Sequence, residues 1–382
     1  MEEKNKFLKE NQINSTRAKK VIKKYERDKD GNIILRDGTY VISSLPTNKY
    51  NFTNGWIGRP QPDDFYREEK PVKMFLVKSY IPDKCPGIYT KTDTEILRAN
   101  NFIMAEIAKQ FELEAAEYYN VVFENSDELK CDENYNVQGR NKIQRIRPNV
   151  RYLITPSFKR NNEKMVHFAE ILDSENQLNA RQIFEQIKEY LKRENVAESD
   201  IDSVMKDYIK QCIFNKFIEF SDEHNLNAAL LITDDKNGKR ARIAPCYDLD
   251  FAAGIFNIVD GGHIPKVFFR YSDKGSDTLL GILAQFYSPF ERRYLKEVLP
   301  KIDIEQAIEI GQRYGNFILS DMAKQRYLKF FRVQIQDLED FYNKYCKPRE
   351  KQDNIKAIEE VQCTGNSQRK KVDDVQGGED GR

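Results

Sequence analysis

The stretch EFSDEHNLNAALLITDD, residues 219–235, joins a strand-like apolar run to three polar side chains that a strand does not require. Residues 228–233 are apolar and β-prone, whereas Asp222, His224 and Asn227 come just before them. Carboxylate and amide oxygens are ligands of Mg²⁺, and a carboxylate can accept a proton. The pattern therefore indicates a site that binds metal and moves a proton. The alternative is that these side chains only cap a helix end and form a turn.

The residues that follow predict a β-hairpin that brings the chain back towards Asn227. Asn237-Gly238 is a strong signal for a two-residue turn, and the return run ends just before Asp248. A turn centred between Asn237 and Gly238 would pair Asn227 with Asp248 across the open end of the hairpin. Phosphoryl transfer to a hydroxyl requires such a set, with Asp222 as the base and the other two side chains as metal ligands.

This spacing resembles the signature of the HipA-like serine/threonine kinase family. That signature is Asp-x-His-x-x-Asn followed by Pro-x-Tyr-Asp, and here it is carried by SDEHNLNAALLI and PCYDLD. Phosphatidylinositol kinases share its first half, and protein kinases in general place a catalytic Asp five residues before a metal-binding Asn. The resemblance extends over residues 70–345 and is specific over residues 209–254.

The resemblance implies an ATP- and Mg²⁺-dependent protein kinase of two lobes. Asp222 would be the catalytic base, Asn227 and Asp248 would bind Mg²⁺, and Lys78 would contact the ATP phosphates. His224 would either orient the catalytic loop or carry a proton.

The phosphate-binding loop is the least defined part of the resemblance. Gly55 and Gly58, in TNGWIGRPQP, are the candidates, and the sequence contains no Gly-x-Gly-x-x-Gly. In this family the helix after the lysine strand usually supplies a Glu to that lysine, but Asn100 and Asn101 stand there. A neutral amide offers Lys78 no charge-assisted hydrogen bond, so we expect modest ATP affinity. Replacing either Asn by Glu is then expected to preserve or raise activity.

Hydrophobic periodicity predicts an α+β chain with the two-lobed layout of a protein kinase, and the resemblance implies that this fold is of the HipA or phosphatidylinositol-kinase type. Residues 1–27 form a polar arm, 28–155 an N-lobe with a β-sheet and one helix, 156–350 a helical C-lobe with the catalytic loop and metal-binding hairpin, and 351–382 a disordered tail.

Three local patterns define the predicted N-lobe. Two β-prone runs flank Arg36-Asp37-Gly38 and predict a hairpin. PVKMFLVKSY predicts a strand that carries Lys78. KTDTEILRANNFIMAEIAKQF predicts an amphipathic helix, with Asn100 inside its apolar face and Asn101 at the edge, where polar groups need partners.

Composition excludes several classes of protein. The 382 residues are 40% hydrophobic and 12% aromatic, which is typical of a globular chain with a sizeable core. A net charge of +1 argues against broad nucleic-acid binding. The six cysteines form no Cys-x-x-Cys pair and are predicted to be reduced thiols. No 18-residue apolar run and no Sec-type signal are visible, so we expect a cytoplasmic protein without a membrane span. Unconventional export to a host would leave no such mark.

Three functional readings remain open at this stage. The first is a kinase that phosphorylates Ser or Thr hydroxyls of a protein, with room for an antitoxin-like or regulatory protein partner. It would belong to the short stand-alone, CtkA-type branch, because the chain has no space for the extra N-terminal domain of the family's toxins. The second is a small-molecule or lipid kinase of the same fold. The third is a pseudokinase that acts as an interaction module.

Overall fold

A computed structural model describes the parts of the chain that carry the site. It covers residues 26–35, 41–44, 54–59, 72–79, 91–124, 151–156, 158–160, 163–172, 178, 180–220, 227–235, 238–253 and 289–347. Only the backbone is described for residues 41–44, 54–59, 72–79 and 91–94. The predicted tail at 351–382 and nearly all of the predicted arm at 1–27 lie outside these ranges.

The N-terminal half forms a six-stranded sheet and one long helix. The sheet has the order β1-β5-β6-β4-β3-β2, and its pairs are antiparallel except for β1 with β5. Helix α1 follows β4, the strand that carries Lys78, as predicted. The elements are β1 Ile33–Leu35, β2 Val41–Ser44, β3 Asn54–Arg59, β4 Val72–Ser79, α1 Lys91–Gln110, β5 Tyr119–Phe123 and β6 Tyr152–Pro156.

The hairpin predicted around Arg36-Asp37-Gly38 is not formed. Both of its strands exist, but β1 and β2 lie at opposite edges of the sheet. Ile33 pairs with Val121 of β5, whereas Val41 pairs with Gly58 of β3. Pairing with β5 buries Ile33 almost completely, and this tertiary burial outweighs the local turn signal.

The second half is mostly helical and contains a three-stranded sheet in the order β7-β8-β9. Strand β7 was not predicted; it extends the expected hairpin of β8 and β9. The elements are β7 Glu163–His167, α2 Phe168–Ile171, α3 Ala180–Arg193, α4 Glu198–Phe217, β8 Ala229–Asp235, β9 Gly238–Ile243, a 3₁₀ turn Leu249–Phe251, α5 Pro289–Val298, a 3₁₀ turn Leu299–Lys301, α6 Ile304–Gly315, α7 Asp321–Phe341 and a π turn Tyr342–Cys346.

Helix α1 packs against the helices of the second half through its apolar face. A Cβ atom on Gly311 of α6 would lie 3.0 Å from Cγ1 of Ile103, so the two helices approach closely where this glycine stands. The ring of Phe111 lies 4.8 Å from that of Phe217 in α4. All six predicted apolar positions of α1 are buried, namely Ile96, Ile103, Met104, Ile107, Ala108 and Phe111.

The predicted α+β class, with a small β-rich N-terminal part and a mostly helical remainder, is confirmed by this element order. Within the residues described, no helix combines the length and apolarity needed to cross a bilayer. Cys212, Cys246 and Cys346 are buried free thiols.

Candidate functional site

The hairpin of β8 and β9 forms as predicted, but in a register shifted by two residues. Asp235 pairs with Gly238 and Leu230 with Ile243, so the two strands are connected through residues 236 and 237, which lie outside the described residues. Gly238 begins the return strand instead of occupying the turn, and it does so with φ +104°, a conformation that favours glycine. The predicted pairing of Asn227 with Asp248 is wrong. A shift of two keeps each side chain on its face of the sheet.

Asp248 follows the hairpin, a few residues after β9 ends at Ile243. This residue lies in the left-handed region, with φ 60° and ψ 43°, immediately before the 3₁₀ turn Leu249–Phe251. Asp is one of the residues that tolerate this conformation. Its backbone N–H donates to the hydroxyl of Tyr118 at 3.1 Å. The backbone thus changes direction sharply where the predicted metal ligand stands.

Backbone hydrogen bonds fasten the chain just before Asp248. Cys246 N–H donates to Glu114 O, and Ala116 N–H donates to Cys246 O, both at 2.8 Å. The side-chain amide of Gln211 in α4 donates to Ala244 O at 2.9 Å. The loop after α1 and the middle of α4 therefore hold the exit of the hairpin in place.

Asn100 fastens the chain just after Asp248. Its Nδ2 donates to the carbonyl oxygens of Asp250 and Ala252, at 2.7 and 2.9 Å, and its Oδ1 accepts from the hydroxyl of Tyr327 in α7. The side chain is fully buried. A single side-chain amide of α1 therefore supplies hydrogen bonds to two backbone carbonyls that belong to no strand.

Asn101 holds the same segment from the next position of α1. Its Oδ1 accepts from Leu249 N–H at 3.1 Å, and its Nδ2 donates to Leu97 O at 3.3 Å. Asn100 and Asn101 need partners, as expected, and the partners described here include the segment that follows Asp248. The predicted relation to Lys78 stays a prediction, because the side chain of Lys78 lies outside the described residues.

The chain also fastens both ends of the predicted catalytic loop to this segment. Ala253 N–H donates to Ile218 O at 2.5 Å, just after α4, and Ala244 N–H donates to Ala229 O at 2.9 Å, at the start of β8. Residues 221–226, with Asp222 and His224, lie outside the described residues. Asn227 is half-buried at the far end of that loop.

Lys78 and the two candidate glycines lie on neighbouring strands. Lys78 of β4 pairs with Asn54 of β3, so Gly55, the next residue of β3, lies beside the lysine. Gly58 pairs with Lys73 beyond a bulge, five residues along β4 from Lys78, or roughly 17 Å at 3.3 Å per residue. The backbone therefore brings Gly55, but not Gly58, close to Lys78. The side chains of these strands are not among those described.

The available donors fit Mg²⁺ better than a thiophilic metal. Asp248 and Asn227 offer hard oxygen ligands and are only partly buried, and Mg²⁺ completes such a set with water and phosphate. Burial raises the pKa of the Cys246 thiol to about 12, so this neighbour stays protonated and is a poor ligand. In the described part of the chain, no three His, Cys, Asp or Glu side chains cluster, so a metal ion held by such side chains alone is not found there.

Three supporting residues escaped the sequence analysis: Gln211, Tyr118 and Tyr327. The signal for Gln211 was available, since it is a polar residue inside the apolar run IKQCIF of α4, and a buried amide needs a partner. The hydroxyls of Tyr118 and Tyr327 contact Asp248 and Asn100, which are 130 and 227 residues away, and such distant contacts leave no comparable mark in the sequence.

Several solved structures resemble the chain. One is a proinflammatory kinase of Helicobacter pylori, CtkA, with 12% identity and a TM-score of 0.48, covering 81% of this chain and 97% of that one. Another is the HipA of a Shewanella oneidensis toxin–antitoxin system, solved with HipB and operator DNA, with 12% identity and a TM-score of 0.44, covering 88% and 72%.

A third is hydra Fam20, solved with sugar, at 10% identity and a TM-score of 0.42, covering 83% of this chain and 88% of that one. A likeness at these identities concerns the fold and does not extend to activity or substrate. No protein-family model matches the chain. No curated protein matches it either.

Proposed function

We propose that the protein is an ATP- and Mg²⁺-dependent phosphotransferase, and specifically a HipA-like kinase that phosphorylates Ser or Thr hydroxyls of proteins. The observation that carries the proposal is the frame of hydrogen bonds around residues 244–253. It fixes Asp248 in a left-handed conformation at the open end of the hairpin that Asn227 precedes. A solvated turn would not need a frame built from α1, α4 and α7.

The residues take the roles that their chemistry allows. The substrate hydroxyl passes its proton to Asp222 as its oxygen attacks the γ-phosphate, and ADP leaves. Asn227 and Asp248 would hold Mg²⁺, which when bound neutralises charge on the phosphates. Lys78 would contact the same phosphates, and Gly55, beside it on β3, would be the glycine that approaches them.

His224 is assigned to orienting the catalytic loop or to proton transfer. A cytoplasmic location stays a prediction from the sequence composition, and regulation by an antitoxin-like protein partner stays a prediction of the family resemblance.

Asp248→Asn tests the metal assignment. It should abolish Mg²⁺-dependent binding of a non-hydrolysable ATP analogue while leaving the fold intact, because Asn also tolerates the left-handed conformation and the Tyr118 contact uses only the backbone. The measurement is calorimetric titration with and without Mg²⁺. Asp234→Asn, an exposed carboxylate at the turn end of the hairpin, is the matched control. Full nucleotide binding and activity in Asp248→Asn would refute the assignment.

Asp222→Ala separates the base from the metal ligands in the same assay. Phosphoryl transfer should fall by roughly 10²- to 10⁴-fold, the usual contribution of a general base. Nucleotide affinity should hardly change, because this carboxylate would face the hydroxyl. Loss of nucleotide affinity with a surviving rate would show that the two roles are wrongly assigned.

A further inference from the structure

Three buried polar side chains form a cluster that the proposed reaction does not use directly. Asn100 and Asn101 come from α1, and Tyr327 comes from α7; each is at most 1% exposed. We call this cluster the amide clamp. Burying polar groups is unfavourable unless they are hydrogen-bonded. The two amides bond to one short segment, residues 249–252, Tyr327 bonds to Asn100, and Asn101 also donates to Leu97 O within α1.

The side-chain amide of Asn100 can form all of these hydrogen bonds in only one orientation. Asn100 uses its two amide hydrogens on two carbonyl oxygens, and the hydroxyl of Tyr327 donates to its Oδ1. A rotated amide would turn its oxygen towards both carbonyls and its hydrogens towards the tyrosine. Tyr327 therefore fixes the direction in which Asn100 presents its donors.

The bonded groups surround the turn that starts directly after Asp248. Leu249 N–H, Asp250 O and Ala252 O belong to no strand ladder, and a buried backbone group left without a partner is costly. An apolar side chain at position 100 or 101 would satisfy none of them. Together with the Cys246 bonds on the other side, the clamp fixes the backbone on both sides of Asp248.

We infer that the amide clamp positions Asp248 for metal binding. Asn100 and Asn101 are thus positioning residues of the site, and α1 acts on the metal-binding segment through amides. This role rests on the proposed function. If the clamp loosens, the segment spends time in other conformations, and the apparent metal affinity falls in proportion to the competent fraction.

The test compares two buried asparagines in the full-length protein. Asn101→Ala removes the acceptor of Leu249 N–H. Asn120→Ala, the control, removes an equally buried amide whose hydrogen bonds go to Arg98 and Gly315. Mn²⁺ binding with a non-hydrolysable ATP analogue is measured by electron paramagnetic resonance, and hydrogen exchange of the Leu249 amide is followed in parallel.

We expect Asn101→Ala to weaken Mn²⁺ binding about tenfold, the effect of losing one buried hydrogen bond, and to speed exchange at Leu249. Asn120→Ala should lower the melting temperature but leave Mn²⁺ affinity within about twofold, because the hydrogen bonds lost with Asn120 do not involve residues 249–252. If Asn101→Ala does not fold, Tyr327→Phe removes only a hydroxyl and should show the same pattern.

Wild-type Mn²⁺ affinity in Asn101→Ala, or in Tyr327→Phe where that variant replaces it, would overturn the inference and leave the proposed function intact. An equal loss of affinity in Asn120→Ala would also overturn it, because the effect would then follow from general destabilisation. A wild-type protein that binds neither Mn²⁺ nor the analogue would contradict the proposed function itself, and the positioning role with it.

Discussion

Asn100 donates both hydrogens of its amide to a segment 150 residues further along the chain. Asn101 accepts from the same segment. At the scale of the residue, these contacts reverse an expectation. If Asn100 and Asn101 were only partners for Lys78, either could be replaced by Glu without harm. Because they hold the backbone, we expect neither replacement to be tolerated.

Asn100→Glu and Asn101→Glu should therefore both impair the protein. At position 100 a glutamate cannot donate to Asp250 O or Ala252 O, and at position 101 it cannot donate to Leu97 O. At either position it also adds a longer side chain with a charge in a buried place. We expect losses of about 2–5 kcal/mol in the free energy of unfolding, together with loss of nucleotide binding. Denaturant unfolding and calorimetric titration measure the two effects. Unchanged stability and activity in either variant would mean that the amide does not hold the segment.

The need of these two residues for partners could be predicted, because polar side chains interrupt an apolar helix face. Their partners could not, since nothing local relates α1 to residues 249–252. Asp248 differs: the motif indicated its role, whereas its left-handed backbone and its Tyr118 contact depend on tertiary structure.

At the scale of the element, the join between α4 and β9 offers a test of how the hairpin is held. Asp200, near the start of α4, accepts from Arg240 Nε and Nη2 at 3.0 and 2.9 Å and from Ala241 N–H at 3.2 Å. The Arg240 hydrogen bond is the main cause that lowers the pKa of the Asp200 carboxyl.

Asp200→Asn should lower the melting temperature near neutral pH, and the difference from wild type should vanish in acid. A carboxyl whose pKa is lowered by folding adds stability above its unfolded pKa of about 3.9, and this stability is lost as the pH falls through the folded value. Thermal unfolding between pH 7 and about pH 2, below the ordinary carboxyl range, measures it. Asp202→Asn, an exposed position on the same helix, makes the same charge change and is the control. A difference that persists unchanged at low pH would contradict this account.

Helices and strands with a strong hydrophobic periodicity could be predicted from the sequence, whereas the pairing of strands with one another could not. The helices α1, α4, α6 and α7 follow their periodic runs because the apolar residues of these runs are buried in the core. Strand β7, EKMVH, was missed because it is short and half polar. The signal at Asn237-Gly238 found the right hairpin but placed the glycine inside the turn, which shifted the register by two. The signal at Arg36-Asp37-Gly38 marked two strands that do not pair with each other.

At the scale of the whole molecule, the candidate site lies where both halves meet. Helix α1 comes from the β-rich half, and its amides reach a segment that follows the second sheet; α7 then holds Asn100 from the other side. The order of strands and helices along the chain was enough to predict the α+β class. The sheet order and the meeting of α1 with α7 depend on packing, which sequence patterns do not specify.

The central claim is that this meeting point binds Mg²⁺ and ATP for phosphoryl transfer. The most direct test is a crystal structure of the full-length protein with Mg²⁺ and a non-hydrolysable ATP analogue. We predict a metal ion about 2.1 Å from Asn227 Oδ1 and from a carboxylate oxygen of Asp248, with Lys78 Nζ on the phosphates and Asp222 facing the γ-phosphate. A nucleotide bound elsewhere, or a metal ion that contacts neither Asn227 nor Asp248, would contradict the claim.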